Sequence, residues 1–155
     1  MNIFYLDRDP YKAARFHCDK HVVKMILETA QLLSTAHHEF GTATDTMYKP
    51  THKNHPSAVW VRQSKKNYHW AYELFQWLSF EYSDRYKKTH KSWFKLRSEL
   101  LLAPDSMPDD VFTDPPQCMP DECKMDDAVL AYRKYYKEGK SSFAQWNHSP
   151  KPYWY

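Results

Sequence analysis

The chain has 155 residues, of which 42% are hydrophobic and 17% aromatic, so it is long and apolar enough for one folded domain and is not a disordered segment. Only two glycines occur, which excludes the glycine-rich loops that hold nucleotide phosphates in Rossmann and P-loop domains. The formal net charge is +3, but positions 105–127 carry −7 and the remaining chain +10, and a basic body rich in aromatic residues is typical of proteins that bind nucleic acid.

The first predicted element is a long helix. Asp9 followed by Pro10 is a helix start, and no Gly or Pro occurs from there to about His38. Apolar residues in this stretch recur at helical spacing along two arcs, which predicts a central helix covered on two sides. The first arc is Ala14, Cys18, Val22, Met25, Thr29, Leu32, Leu33 and Ala36, and the second is Val23, Leu27 and Ala30. The short apolar stretch before it, 3–6, is at most a trivial strand.

A second helical region follows a polar loop over 39–55. Asn54, His55 and Pro56 form another helix start, and an aromatic-rich stretch then continues without Gly or Pro from Ala58 to about Tyr86. The pattern fits one long helix or two helices joined by a kink.

The remaining elements are shorter. Thr89 is positioned to cap a third helix over 90–102, and Asp126 or Asp127 can begin a last helix that runs to about Lys137. Between them, five prolines predict an irregular acidic loop of about twenty residues at 105–124. The C-terminal tail is too aromatic for a solvated end and is expected to pack back over the helices. Residues 1–155 are therefore predicted to form one compact all-α domain of about four helices.

Other sequence features bear on location and redox state. No uncharged apolar run approaches the ~18 residues of a membrane span, and the first residues are too short and too acidic for a signal sequence, so we expect a cytoplasmic protein without a membrane partner. The cysteines Cys18, Cys118 and Cys123 lack the paired spacing of a zinc or redox centre and are expected to be reduced thiols.

One polar strip on the first predicted helix could carry chemistry. His17, His21, Lys24 and Glu28 fall on the same side of that helix, beside its apolar arc. Because apolar residues flank Glu28, its carboxylate is expected to be partly desolvated, which suits it to exchange protons with a substrate.

Two other interpretations of this strip stay open. Glu28 could simply pair with Lys24, with the histidines as hydrogen-bonding residues between helices. His17 and His21, together with His52 or His55, could also bind a metal ion, although the spacing identifies no third ligand. We predict no cofactor.

The run from Cys18 to Thr29, which reads CDKHVVKMILET, resembles the helical segment of pyrimidine-dimer DNA glycosylases of the phage endonuclease V type. The family has a Glu seven positions after a His, as Glu28 follows His21 here. The segment 134–140, KYYKEGK, is similar to a Lys-Tyr-Tyr-Gly-Lys stretch near the end of those proteins, where aromatic and basic side chains face DNA. The two stretches cover about twenty residues together.

The resemblance implies a compact all-α fold and a particular reaction. The family uses the α-amino group of the first residue to attack the sugar C1′ of a damaged nucleotide, which gives a Schiff base whose β-elimination cuts the strand. By this correspondence Glu28 takes the position of the catalytic acid, and His21 that of a histidine near the site. Because Asn2 is bulky, Met1 is expected to be retained and to be the nucleophile. Where the family has two arginines at this site, this sequence has Leu27 and Gln31.

The chain is also similar, over most of its length, to a group of small phage-encoded proteins without an assigned activity. They carry Cys-Asp-Lys-His-Val-Val-Lys-Met, an Asn-His-Pro before an aromatic helix, and a segment like Tyr-Arg-Lys-Tyr-Tyr. That resemblance names no reaction.

The sequence thus predicts a DNA glycosylase/AP-lyase-like enzyme, expected to be a monomer, acting on damaged or modified pyrimidine nucleotides in DNA. The predicted catalytic residues are Glu28, Met1 and His21, and the predicted substrate-binding residues are His17, Lys24, Asn54, His55, Arg133, Lys134, Tyr135 and Tyr136. The alternatives are a non-enzymatic nucleotide or nucleic-acid binding protein and a histidine-based metal-dependent enzyme.

Overall fold

The structure is a computed structural model that describes residues 1–155. It is all-α, as predicted, with six helices and no strand. The helices are Pro10–Phe16 (α1), Asp19–Glu39 (α2), Pro56–Val61 (α3), Lys65–Tyr86 (α4), Lys91–Leu96 (α5) and Ala128–Gly139 (α6), and a 3-10 turn lies at Asp121–Cys123. The helix α4 packs against both α1 and α2, and α3 and α5 pack against α2 and α4.

The N-terminal segment 3–6 is part of the core, although it forms no strand. All four of its residues are buried, and the backbone N–H of Leu6 donates to the carbonyl of Phe4 at 2.9 Å. The ring of Phe4 lies 4.4 Å from that of His21 on α2 and 5.6 Å from that of Tyr136 on α6. The ring of Tyr5 lies 5.2 Å from that of Trp70 on α4. The beginning of the chain therefore packs between α2, α4 and α6.

The predicted first helix is in fact two helices, so the single helix from Asp9 to His38 is wrong. His17 and Cys18 have extended backbones between α1 and α2. The buried guanidinium of Arg85 on α4 donates to the carbonyl oxygens of Arg15 at 3.0 Å and His17 at 2.8 Å, and it also pairs with Asp19 at 3.1 Å. These contacts satisfy the carbonyl groups at the end of α1 without a continuous helix. The break contains neither Gly nor Pro. It depends on Arg85, which is distant in sequence, so no local signal predicts it.

The helix α2 is covered on one side rather than two. Every residue of the first predicted arc is buried, but Val23 and Leu27 of the second arc are 40% and 39% exposed. Val23 and Leu27 stay partly exposed although α3, α4 and α5 all pack against α2. Only Ala30 of the second arc is buried.

The second predicted helical region consists of α3 and α4, which agrees with the two-helix alternative. The third helix ends at Leu96 instead of Leu102, and His90 rather than Thr89 is its N-cap. The carbonyl oxygens of Arg97 and Leu100 accept hydrogen bonds from tyrosine hydroxyls of α4. Tertiary bonds thus take up carbonyl groups that a longer α5 would have used. Asp127 caps α6, as the sequence indicates.

The acidic loop is irregular apart from its 3-10 turn, and the aromatic tail packs back onto the helices. The indole nitrogen of Trp146 donates to the carbonyl of Phe16 at 3.1 Å, and the backbone N–H of Asp19 donates to the carbonyl of Gln145 at 2.8 Å. The three cysteines are free thiols, as predicted. None of the helices combines the length and the apolar character that crossing a membrane would need.

The buried ion-pair cluster of Arg85 should be a main determinant of stability. We expect Arg85→Met to lower the free energy of unfolding by about 3 kcal/mol or more, because the carboxylates of Asp19 and Glu81 lose their buried partner. Lys53→Met is the matched control: its exposed ammonium lies 4.0 Å from Glu39, and its loss should cost less than about 1 kcal/mol. Urea unfolding of both variants measures this, and equal effects would contradict the assignment.

Candidate active site

The α-amino group of Met1 and the carboxylate of Glu28 are in direct contact. The Met1 nitrogen lies 2.8 Å from Oε1 of Glu28, and the Nζ of Lys24 lies 3.7 Å from Oε2. The side chains of Met1 and Glu28 are only 8% and 14% exposed, whereas that of Lys24 is 62% exposed. Because solvent screens this contact little, the attraction between amine and carboxylate is stronger than in a surface pair.

Rigid elements on both sides hold the two groups together. Glu28 lies in the middle of α2, one helical turn from Lys24. Met1 is followed by the buried segment 3–6, and the side-chain amide of Asn2 donates to the carbonyl of Cys118 at 2.8 Å. Core packing therefore fixes the position of the Met1 amine beside Glu28.

The two groups line a pocket of about 230 Å³. Three amino groups, those of Met1, Lys24 and Lys140, face a single carboxylate, that of Glu28, so the pocket is suited to an anionic ligand. Its lining residues are Met1, Asn2, Phe4, His21, Lys24, Met25, Glu28, His55, Cys118 and Lys140.

His21 forms an inner wall of the pocket as a neutral imidazole. Burial lowers its pKa to about 2, with smaller contributions from His17 and the ammonium of Lys140. The hydroxyl of Tyr136 lies 2.7 Å from Nδ1 of His21, and the ring of Phe4 stacks on the imidazole with centroids 4.4 Å apart. A histidine held this way orients neighbouring groups, and its imidazole is uncharged at neutral pH.

Lys140 is a pocket residue that the sequence analysis did not select. Its Nζ lies 4.7 Å from the ring centroid of Tyr135, 5.8 Å from that of Phe4 and 6.0 Å from that of Phe143. It has no carboxylate partner, so its charge is available to a ligand. In the sequence, only its position directly after Gly139, at the end of the aromatic and basic segment 134–140, indicated that Lys140 could be a site residue.

Asn2, Phe4 and Cys118 were also missed. Phe4 belongs to an apolar stretch that the sequence marks only as core, and Asn2 stands beside the predicted nucleophile. Cys118 comes from the acidic loop, which returns to the N-terminus over more than one hundred positions, and no local pattern in the sequence indicates that contact.

Five of the predicted site residues meet in this pocket: Met1, His21, Lys24, Glu28 and His55. Tyr135 borders it through its contacts with Phe4 and Lys140. Tyr136 is fully buried behind His21 and supports that ring instead of facing a ligand.

The structure does not bring four other predicted residues to the pocket. His17 is fully buried at the break between α1 and α2, where its Nδ1 donates to the carbonyl of Ala13 at 2.6 Å and burial lowers its pKa to about 4. Asn54 is exposed and lines a separate groove beside α3.

Arg133 and Lys134 lie on another face of α6. Arg133 donates to the carbonyl of Leu6 at 2.8 Å and pairs with Asp7 at 3.1 Å, and Lys134 donates to the carbonyl of Glu122 at 2.7 Å. Both side chains tie other segments to α6, because helical spacing turns them away from Tyr132 and Tyr136, which face the core.

The histidines do not form a metal centre. No group of three or more His, Cys, Asp or Glu side chains has a geometry that could hold a metal ion. His17 and His21 are each engaged in a hydrogen bond through Nδ1, and their ring centroids are 6.4 Å apart. The metal-dependent alternative therefore has no donor set in the structure.

Comparison of the chain with protein-family models, with curated proteins and with solved structures gives no match.

The buried histidines should make the protein sensitive to acid. Below pH 6.5 the unfolded chain binds protons at these rings, whereas the native protein binds none at His17 until about pH 4 or at His21 until about pH 2. Stability is therefore complete above pH 6.5 and falls as the pH decreases, by up to about 1 kcal/mol per pH unit for each ring.

Urea unfolding between pH 7 and pH 5 tests this, with His21→Gln expected to show a shallower decline than the wild type. The imidazole nitrogen resonances of His21 in the native protein should stay constant over the same range. Titration of His21 near pH 6.5, or equal slopes for the two proteins, would contradict the neutral inner wall.

Proposed function

We propose that the protein is a DNA glycosylase/AP-lyase-like enzyme that acts on the sugar of damaged or base-free nucleotides through the Met1 amine and Glu28. The observation that carries this proposal is the 2.8 Å contact between amine and carboxylate inside a small cationic pocket. A primary amine attacks a carbonyl or sugar C1′ only as the free base, and a carboxylate in contact with it can accept its proton.

The reaction can be written with these two groups. The Met1 nitrogen attacks C1′, and the bond from C1′ to the nucleobase breaks, with the electron pair and a proton going to the departing nucleobase. The nitrogen lone pair then forms a C=N bond as the C1′–O4′ bond of the sugar ring breaks, and O4′ takes that electron pair and a proton. At a base-free sugar, the amine instead adds to the C1′ aldehyde and water leaves. Either route gives an imine that joins Met1 to C1′.

Strand cleavage follows from the imine. A proton acceptor removes a proton from C2′, and the electrons of that C–H bond form a C2′–C3′ double bond. The C3′–O bond breaks, and the phosphate leaves with the electron pair of that bond. Glu28, having passed its first proton on, is the group placed to take this one. Hydrolysis of the imine returns the free amine.

Charge and size of the pocket also support a sugar with flanking phosphates. Lys24 and Lys140 border the amine and are suited to pair with phosphate oxygens on either side of the reacting sugar. A volume of about 230 Å³ is below the roughly 300–1,000 Å³ of pockets that enclose drug-sized ligands. The site therefore favours the sugar over an entire flipped nucleotide.

Trapping with borohydride tests the role of Glu28. Borohydride reduces the imine to a stable amine, so wild-type protein should form a covalent adduct with DNA containing an abasic site. Glu28→Gln should slow adduct formation at least about a hundredfold, because the amide cannot accept a proton. Glu39→Gln, on the same helix but outside the pocket, is the matched control and should behave as wild type.

If wild-type protein forms no adduct, the lyase proposal fails. If the protein binds the DNA with the same affinity whether residue 28 is Glu or Gln and never forms an adduct, the binding-protein alternative is correct.

A second experiment tests the amine itself. Two extra residues placed ahead of Met1 move the free amine away from Glu28, since the pocket closes around the present nitrogen. We expect loss of adduct with the extended protein and recovery when a protease removes the extension to restore Met1. An adduct that persists in the extended protein would assign the nucleophile to another group.

A further inference from the structure

The sequence contains two histidine caps of the same design. His55 precedes Pro56 and Ser57, and its Nδ1 accepts the backbone N–H of Ser57 at 3.1 Å at the start of α3. His90 precedes Lys91 and Ser92, and its Nδ1 accepts the backbone N–H of Ser92 at 3.1 Å at the start of α5. Only His55 lines the pocket that contains Met1 and Glu28.

The cap determines which ring nitrogen of His55 carries hydrogen. Nδ1 must keep its lone pair to accept the Ser57 N–H, so the hydrogen of the neutral ring is on Nε2. Protonation of Nδ1 would break the cap bond, and burial together with the nearby Met1 ammonium lowers the pKa of the imidazole. The ring is therefore a neutral donor with a fixed tautomer.

The donating nitrogen is free to meet a ligand. Nε2 of His55 has no hydrogen-bond partner in the protein, and it is not among the polar atoms sealed in the interior. The ring is half-buried, and it borders the same pocket as the amine of Met1. A ligand that meets the amine therefore also comes within range of this N–H group.

We infer that His55 is a ligand-binding residue whose Nε2–H donates a hydrogen bond to the oxygen on C1′ of the bound sugar. As regards the ligand, this assignment rests on the proposed function. When the amine adds to the aldehyde, the C=O π bond breaks and its electrons move to the oxygen, which becomes a better acceptor. The hydrogen bond from His55 strengthens at that point, while His55 keeps its proton and Glu28 supplies the one that leaves with water.

Asparagine separates the two functions of the ring. In His55→Asn, Oδ1 stands at the same distance along the side chain as Nδ1 and is a good helix cap, but no atom replaces Nε2. His90→Asn makes the same change at the cap outside the pocket. Both variants should remain folded, with a lower melting temperature for His90→Asn because the ring of His90 also hydrogen-bonds the backbone of Val23. Only His55→Asn should slow imine formation on abasic-site DNA, by about tenfold, with little change in binding.

A second measurement does not depend on catalysis. Long-range ¹H–¹⁵N correlation spectra identify the protonated nitrogen of each histidine, and we expect Nε2–H for His55 at pH 7. A duplex whose abasic sugar has been reduced to the C1′ alcohol keeps the oxygen on C1′ but cannot form an imine. It should shift the Nε2 resonance of His55 and leave that of His90 unchanged.

Each outcome bears on the inference. An Nδ1–H tautomer at His55 overturns it, as does equal activity of His55→Asn, His90→Asn and wild type. If wild-type protein forms no adduct, the proposed function fails, and the duplex with the reduced abasic sugar then decides: a shift of the His55 resonance supports a ligand-binding Nε2–H, and an unchanged resonance overturns it.

Discussion

The contact between the Met1 amine and Glu28 is the interaction on which the candidate site depends. Placing an amine and a carboxylate together in a mostly buried position is costly unless each satisfies the other, and here the nitrogen and Oε1 are 2.8 Å apart. The contact exists because segment 3–6 is fixed in the core and because α2 presents Glu28 toward that segment. Core packing thus places the Met1 amine beside Glu28.

The surrounding groups are specialised by their environment. His21, packed against Phe4 and Tyr136, is a neutral wall, whereas Lys24 and Lys140 line the same pocket with their amino groups. His55 belongs to neither class, because a helix cap fixes its tautomer and leaves one N–H for a ligand. Amine, carboxylate, neutral donor and flanking cations together suit the proposed imine chemistry on a phosphodiester-linked sugar.

Local sequence patterns predicted an all-α fold, the helix starts at Asp9 and at Asp126 or Asp127, and the face of α2 that carries His21, Lys24 and Glu28. They did not predict the break at His17, since Arg85 and the tail that stabilise it are distant in sequence. For the same reason helical spacing placed His17 beside His21, and no local pattern pointed to Cys118. The position of Met1 beside Glu28 was expected from a family resemblance, and helical periodicity alone does not provide it.

The most direct test of the account locates the bond that forms on the protein. Wild-type protein is reduced with borohydride in the presence of abasic-site DNA, digested with nuclease and then with trypsin, and sequenced by tandem mass spectrometry. Trypsin releases residues 1–8 after Arg8, the first basic residue in the chain. The account predicts the added sugar mass on the α-nitrogen of Met1 in that peptide. The same mass on Lys24 or Lys140, with residues 1–8 unmodified, would contradict it.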